Sequence, residues 1–118
     1  MAVDKSLISG STSMLILRLL EEKDMYGYEM IEGLRRKSRN VFELKAGTLY
    51  PLLHGMETKG LLRSYTLTDK ASQSEKAGKT RKYYSITKEG RRALSEKKEE
   101  WIAYTQVVAD VLSVGGAL

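Results

Sequence analysis

The spacing of apolar residues changes twice along this chain of 118 residues, and the order of those changes restricts its fold more than any other feature. Three segments before Gly60 repeat apolar residues at helical intervals, and two later segments are rich in the Tyr, Thr, Leu and Ile typical of strands. From Lys88 onward the spacing is helical again for about 25 residues, which is long for a helix in a globular protein. We therefore expect three helices, a β-hairpin and one long helix.

The three early helices are predicted from their apolar stripes and end signals. The first follows the cap-like residues 11–13 and is largely buried. The second runs from Tyr26 to about Arg39, and its side facing the core is predicted to hold Tyr28, Ile31, Leu34 and Arg35. The third covers Ala46 to Lys59 and starts near Gly47 or Thr48. Its stripe consists of Leu49, Leu52, Leu53 and Met56.

The two strand-like segments, Leu61–Thr68 and Arg81–Thr87, are predicted to form a two-stranded hairpin with a long polar tip. This element order is that of a winged helix-turn-helix, in which the hairpin is the wing and the third helix lies in the major groove of DNA. The fold class is thus mainly α with a small β-hairpin (α+β). We expect residues 1–90 to form the winged helix-turn-helix DNA-binding domain and 91–118 the C-terminal dimerisation helix.

Composition excludes most catalytic chemistry. Cysteine is absent and His54 is the sole histidine, so disulfides, zinc-thiolate sites, histidine metal clusters and Ser-His-Asp triads are all ruled out. No phosphate-binding glycine loop or nucleophile–base pair is present. The sequence predicts a protein that is not an enzyme and uses no metal or cofactor. With neither an export signal nor a membrane-spanning stretch, it is expected to be cytoplasmic and to have no membrane partner.

Positive charge is concentrated in the middle of the chain. The formal net charge is +5, and the segment 35–82 holds twelve basic residues against four acidic ones. Such a segment favours double-stranded DNA as a partner, although a solvated basic surface has the same composition. In a winged fold the DNA contacts come from the start of the third helix and from the wing. The residues at those places are Lys45, Gly47, Thr48, Tyr50, His54, Lys79, Arg81 and Lys82.

Alternatives stay open for this interface. Tyr50 could be a partly buried packing residue, and His54 a solvated surface residue. The basic face as a whole could instead meet an acidic protein, in which case the chain would be a winged-helix protein-interaction module with no specific DNA target.

The last helix repeats apolar residues in the manner of a coiled-coil seam. Leu94, Trp101 and Val108 are seven residues apart, with further apolar residues interleaved. A seam of this length needs a partner, and the same helix of a second subunit would provide one in a two-fold homodimer. The alternative is that the helix packs on the first helix of its own chain. The predicted dimer interface consists of Leu94, Trp101, Tyr104, Val108 and Val111.

Four short segments follow one another along the chain: YGYE at 26–29, GTLYPLL at 47–53, KGLL at 59–62 and RKYYSITKEG at 81–90. Together they resemble the successive signatures of the PadR-like transcriptional regulators, over a stretch from about Ser11 to Leu112. The single C-terminal helix is similar to the compact branch of that family. The resemblance implies a homodimeric repressor that binds a palindromic promoter site and is released by a small effector.

In compact members that sense several drugs, a tryptophan of the last helix and its symmetry mate hold a flat aromatic ligand between them. Trp101 stands at what looks like that position, and an indole face suits planar aromatics; its alternative role is to anchor the dimer core. This sequence departs from those members at Thr105, where they can have an acid, and in its longer wing tip, 69–80. The effector contacts that the resemblance implies are Leu7, Ser13, Met14, Trp101 and Thr105.

Overall fold

The computed structural model describes residues 10–69 and 79–113. Within them the elements follow the predicted order, with one short strand added. They are α1 (Thr12–Glu22), β1 (Met25–Tyr26), α2 (Gly27–Lys37), α3 (Ala46–Thr58), β2 (Leu62–Asp69), β3 (Lys79–Ile86) and α4 (Lys88–Leu112). The predicted α+β class, with its helix-turn-helix, wing and long last helix, is confirmed.

One apolar core joins all four of these helices to the sheet. The stripe predicted for α3 faces this core, with Leu49, Leu53 and Met56 buried and Leu52 packed at the margin. Burial of a side chain of this size contributes about 1.5–3 kcal/mol, so the stripe fixes which side of α3 is turned inward. The opposite side is left in water, where the predicted DNA contacts lie.

The buried side of α2 differs from the prediction. Tyr28, expected on the apolar side, is 61% exposed. Leu34 of the predicted stripe is buried and Ile31 packs against the core, and the other buried positions are Gly27, Met30 and Gly33. Glycine carries no apolar signal, so the spacing of large residues could not reveal a side that packs through two glycines.

The sheet has three strands, not the two predicted. β1 pairs antiparallel with β3, so the strand order is β1-β3-β2. The register places Tyr26 opposite Tyr83 on one side, and Tyr83 opposite Tyr65 on the other. The segment just before α2 is therefore tied to the wing by backbone hydrogen bonds.

The start of α4 is fixed to the turn that follows α3. The Thr87 hydroxyl accepts a hydrogen bond from the Gly90 N–H at 3.0 Å and donates one to the Gly60 carbonyl at 2.6 Å. Gly90 lies against the Leu61 carbonyl so closely that a Cβ would overlap it. These contacts set the direction in which α4 leaves the domain.

The first half of α4 belongs to the core of its own chain. Leu94 is 1% exposed, and Lys98 pairs with Glu21 of α1 at 3.8 Å. The helix runs without a break across the expected boundary between residues 90 and 91. The division of the chain into two domains stays a prediction. Among the described residues, no helix has the length and apolar character needed to cross a bilayer.

Candidate nucleic-acid interface and apolar pocket

The start of α3 presents small and polar side chains to solvent. Lys45 is the N-cap residue, and Gly47, Thr48 and His54 are exposed. Tyr50 is half-exposed, at 47%. All five residues predicted for DNA contact on this helix therefore lie at the surface, on the side away from the buried stripe.

Pro51 modifies the backbone of this region. Since α3 begins at Ala46, Pro51 is its sixth residue and lies beyond the first turn. A proline has no N–H, so the carbonyl of Gly47 receives no helical hydrogen bond from the residue four positions later. No atom lies within 4 Å of a Cβ built on Gly47. The helix thus offers open space at Gly47 for the close approach of another backbone.

The turn between α2 and α3 is held by Arg35. Two residues there, Arg39 and Asn40, have left-handed φ values of 54° and 67°. Arg35 donates from Nη1 to Asn40 Oδ1 at 2.8 Å and from Nη2 to Glu32 Oε2 at 2.7 Å. The Glu32 carboxylate raises the pKa of Arg35, and the hydrogen bond from Arg35 lowers the pKa of Glu32. Part of the basic cluster at the end of α2 therefore supports the turn.

The three predicted wing residues do not share one side of the sheet. Successive side chains of a strand point to opposite sides, so Lys79 and Arg81 face one way and Lys82 the other. The half-buried Arg81 has its guanidinium carbon 4.9 Å from the centre of the Tyr26 ring. Lys82 is exposed, with its Nζ 5.6 Å from the Tyr84 ring centre. Arg81 and Lys82 are thus directed at different surroundings.

A row of tyrosine rings crosses the sheet on the side of Arg81. Tyr26 meets Tyr83 edge-on, with ring centres 5.5 Å apart, and Tyr83 stacks on Tyr65 with centres 5.8 Å apart. The Tyr65 hydroxyl donates to Asp24 Oδ2 at 2.6 Å, and this hydrogen bond raises the pKa of Tyr65. The sequence prediction missed this tyrosine row because the contact of Tyr26 with Tyr83 requires β1 to pair with β3.

A shallow pocket of about 280 Å³ lies between the start of α1 and the middle of α4. It brings together two of the predicted effector residues, Met14 and Trp101. Ser13 and Thr105 do not line it, and Leu7 lies outside the described residues. The lining residues are Gly10, Met14, Lys97, Glu100, Trp101 and Tyr104.

The pocket has an acid that the sequence prediction did not consider. Glu100 is the residue before Trp101, and it lines the pocket. Position 105, where drug-sensing members of the family can have an acid, is a threonine in this chain. Its Oε2 lies 3.6 Å from Lys97 Nζ. The pocket therefore combines an indole face with a paired carboxylate and ammonium, not with an isolated negative charge.

The second half of α4 exposes large apolar side chains to solvent. We call this set the α4 apolar surface: Trp101, Ile102, Tyr104, Val107, Val111 and Leu112. It includes three of the predicted dimer residues, whereas Val108 is half-buried and Leu94 is already covered within its own chain. The sequence prediction missed Ile102, Val107 and Leu112, because it included only residues at the two apolar positions of the heptad repeat.

The chain is similar to known proteins over most of its length. The profile of the transcriptional regulator PadR-like family matches residues 16–96. A protein of Lysinibacillus sphaericus is 35% identical over 108 residues, which cover 90% of this chain and 92% of that protein. A transcriptional regulator from Clostridium thermocellum superposes with a TM-score of 0.79 at 31% identity, covering 92% of this chain and 97% of its own. For a PadR family transcriptional regulator from Eggerthella lenta the TM-score is 0.77 at 34% identity, with 93% and 88% covered.

Proposed function

Because the chain belongs to the PadR-like family of transcriptional regulators, we propose that it is a repressor that binds a palindromic promoter site as a homodimer and is released by a small aromatic effector. Regulators of this family bind DNA and are not enzymes. The observation that carries the proposal is the start of α3, where small and polar residues lie exposed beside a basic turn. This surface suits a polyanion that must be approached closely.

In the proposed complex, α3 lies in the major groove and the wing meets the DNA backbone. Thr48 donates from its hydroxyl, and Lys45 at the N-cap supplies a positive charge. Among the side chains that the structure describes, neither Lys45 nor Lys82 has an ion-pair partner, and both are exposed. Lys79 and Arg81 extend the basic surface towards the tip of the wing.

The proposed dimer forms through the α4 apolar surface. Its side chains are up to 79% exposed in the single chain, at Val111, and removing apolar area from water contributes about 25 cal/mol per Å². A second copy of α4 offers the same chemistry under two-fold symmetry. Such a dimer would hold the two α3 helices about 34 Å apart, or a multiple of that, as two half-sites of a palindrome require.

The proposed effector site is the pocket at Met14 and Trp101, completed by the second subunit. Trp101 is 43% exposed, so its ring is available to a planar ligand. Release from DNA requires that the ligand bind the DNA-incompetent state more tightly, by about 1–3 kcal/mol. Trp101 is the sole tryptophan, so ligand binding is measurable by its fluorescence. A Trp101→Ala protein that kept the full response to an effector would rule out this site.

The proposal is tested by two measurements: light scattering gives the oligomeric state, and a binding assay compares two DNA duplexes. The first duplex comes from upstream of the protein's own gene or is selected from a random pool, and the second is its scrambled form. We expect a dimer that prefers the first duplex. Thr48→Ala should reduce that preference about tenfold, whereas Thr58→Ala at the far end of α3 should leave it unchanged. A protein that shows no preference in either source of DNA, and instead forms a stable complex with an acidic protein, would contradict the repressor function.

A further inference from the structure

We infer that Gly27 is a positioning residue for the selection of a DNA sequence, because the ring of Tyr50 lies where a side chain at position 27 would be. The inference rests on the proposed function, since it assigns Gly27 a part in sequence preference. Gly27 does not contact DNA in this arrangement. It acts through Tyr50, by setting where that ring lies on the exposed side of α3.

The close approach explains why position 27 is a glycine. Gly27 is the first residue of α2 and is buried. A Cβ built on it would overlap the Tyr50 hydroxyl and lie 2.7 Å from Cζ of the same ring, whereas real Cβ contacts stay beyond 3.0 Å. Conformational freedom is not the reason, because Gly60 alone among the described glycines has a positive φ. Glycine is also a poor helix former, so helix stability does not explain its presence. The physical reason for a glycine at position 27 is the ring of Tyr50.

Tyr50 connects the surface of α3 to α2. About half of the side chain is exposed, and its hydroxyl end lies on Gly27. Its neighbour Leu49 is fully buried in the core. The buried stripe sets which side of α3 faces the core, and the contact with Gly27 sets where the Tyr50 ring lies on the exposed side. Tyr50 is two residues after Thr48 in the same helix, so the position of its ring shapes the surface that Thr48 presents.

The residue before Gly27 ties the same point to the wing. Tyr26 pairs with Tyr83 in the sheet, and its backbone N–H donates to Glu29 Oε1 at 3.2 Å. Its ring contacts Tyr83 and lies beside Arg81. Consequently two adjacent residues contact both elements: Tyr26 contacts the wing, and Gly27 contacts α3 through Tyr50. A side chain at position 27 would change how these two elements are placed relative to each other without changing any charge.

The test is a double-mutant cycle of the full chain: wild type, Gly27→Ala, Tyr50→Ala and the double variant. Affinity is measured by fluorescence anisotropy at several salt concentrations, for the duplex that the wild type enriches from a random pool and for its scrambled form. We expect Gly27→Ala to weaken binding to the enriched duplex about tenfold. Binding to the scrambled duplex and the salt dependence should not change, because every basic side chain is kept. In the Tyr50→Ala background, adding Gly27→Ala should change the affinity less than about twofold.

Gly33→Ala is the matched control, since Gly33 is buried in the same helix. The nearest atom to a Cβ there is Leu19 Cδ2 at 3.5 Å, an ordinary contact, so this variant should bind both duplexes like the wild type. The inference is overturned if Gly27→Ala also binds like the wild type. It is equally overturned if Gly27→Ala loses the same affinity with and without Tyr50.

Two further measurements decide the remaining cases. If circular dichroism shows that Gly27→Ala does not fold, Tyr50→Phe is compared with Tyr50→Ala. The phenyl ring keeps its contact with Gly27, so selectivity should persist with Phe and fall with Ala. An equal loss would mean that the contact of the ring with Gly27 does not support selectivity, and it would overturn the inference. If the wild type enriches no duplex, the proposed function has failed, and the cycle is measured by thermal unfolding. Destabilisation by Gly27→Ala only when Tyr50 is present would support the contact, and independence of the two changes would overturn it.

Discussion

The start of α3 and the second half of α4 are both left uncovered by the described part of their own chain, and the two surfaces have opposite chemistry. On α3 the exposed residues include Lys45, Gly47 and Thr48, which are charged, small or hydroxylated. On α4 they are large and apolar, as at Ile102 and Val111. α3 and the first half of α4 are buried in the same core, through Leu49 and Leu94 among others, and the two uncovered surfaces differ in the side chains that they present outward.

This difference indicates two kinds of partner. A polar surface in a basic region suits a ligand whose contacts are hydrogen bonds and charges, as nucleic acid provides. An apolar surface gains free energy only when water is removed from it, as a second protein chain would do. The comparison therefore predicts that substitutions on α4 affect assembly, whereas substitutions on α3 affect DNA binding directly.

The largest effect is expected from a charge placed in the α4 apolar surface. Val111→Glu would bury a carboxylate without a partner in the proposed dimer, and this should raise the dimer dissociation constant about 100-fold or more. Sedimentation or light scattering over a dilution series measures the change. Ser95→Glu, at an exposed position of the same helix outside this surface, is the control and should leave the dimer intact. A Val111→Glu protein that remains dimeric would show that the subunits associate elsewhere.

A smaller effect is expected from removing one charge at the start of α3. Lys45→Gln should weaken binding to the preferred and the scrambled duplex by the same factor, because a phosphate contact carries no sequence information. The slope of log affinity against log salt concentration should fall by about 1. Arg92→Gln makes the same charge change at an exposed position of α4 outside the pocket and the α4 apolar surface and should leave the slope unaltered. Equal slopes for wild type and Lys45→Gln would place Lys45 away from the DNA.

The smallest effect is expected at the tyrosine row of the sheet. Tyr65→Phe removes the hydrogen bond to Asp24 and should slightly lower the unfolding temperature at neutral pH. The pKa of Tyr65 in the folded protein is raised above the ordinary value of 10.0 by that bond, so its stabilisation is complete below this pH. It is lost as the pH rises through the pKa of the folded state, and the gap between wild type and Tyr65→Phe should then close.

Thermal unfolding between neutral pH and pH values above 10.0 measures this gap. Tyr28→Phe is the matched control, because the Tyr28 side chain is largely exposed. It should follow the wild type at every pH. A gap at Tyr65 that widened with rising pH would have the wrong sign for a hydrogen bond donated by the neutral phenol.

Local spacing was sufficient where one element carries its own signal. The stripe of α3 and the flanking Gly60 predicted a helix over Ala46–Lys59, against Ala46–Thr58 in the structure. β1 could not be predicted in this way, since a strand of two residues has no period. It exists because Tyr83 and Tyr84 of the distant β3 offer it partners.

The candidate sites show the same division. The predicted DNA contacts on α3 are exposed, because one buried stripe determines both sides of a helix. The family resemblance pointed to Met14 and Trp101, which line one pocket, but not to the charged pair of Lys97 and Glu100 in the same pocket. Leu94 had the spacing of a dimer seam and instead packs in its own core. Spacing indicates that a side chain needs an apolar neighbour, and it cannot specify which chain supplies it.

The sequence by itself determined the order of the elements, the basic middle segment, the inner side of α3 and the family, because each of these depends on residue types at short intervals. Only the tertiary structure decided the contact of Tyr50 with Gly27, the tyrosine row and the point along α4 at which burial gives way to exposure. These features join residues that are far apart in the chain. Their distances depend on how helices and strands pack around the core, which local spacing does not encode.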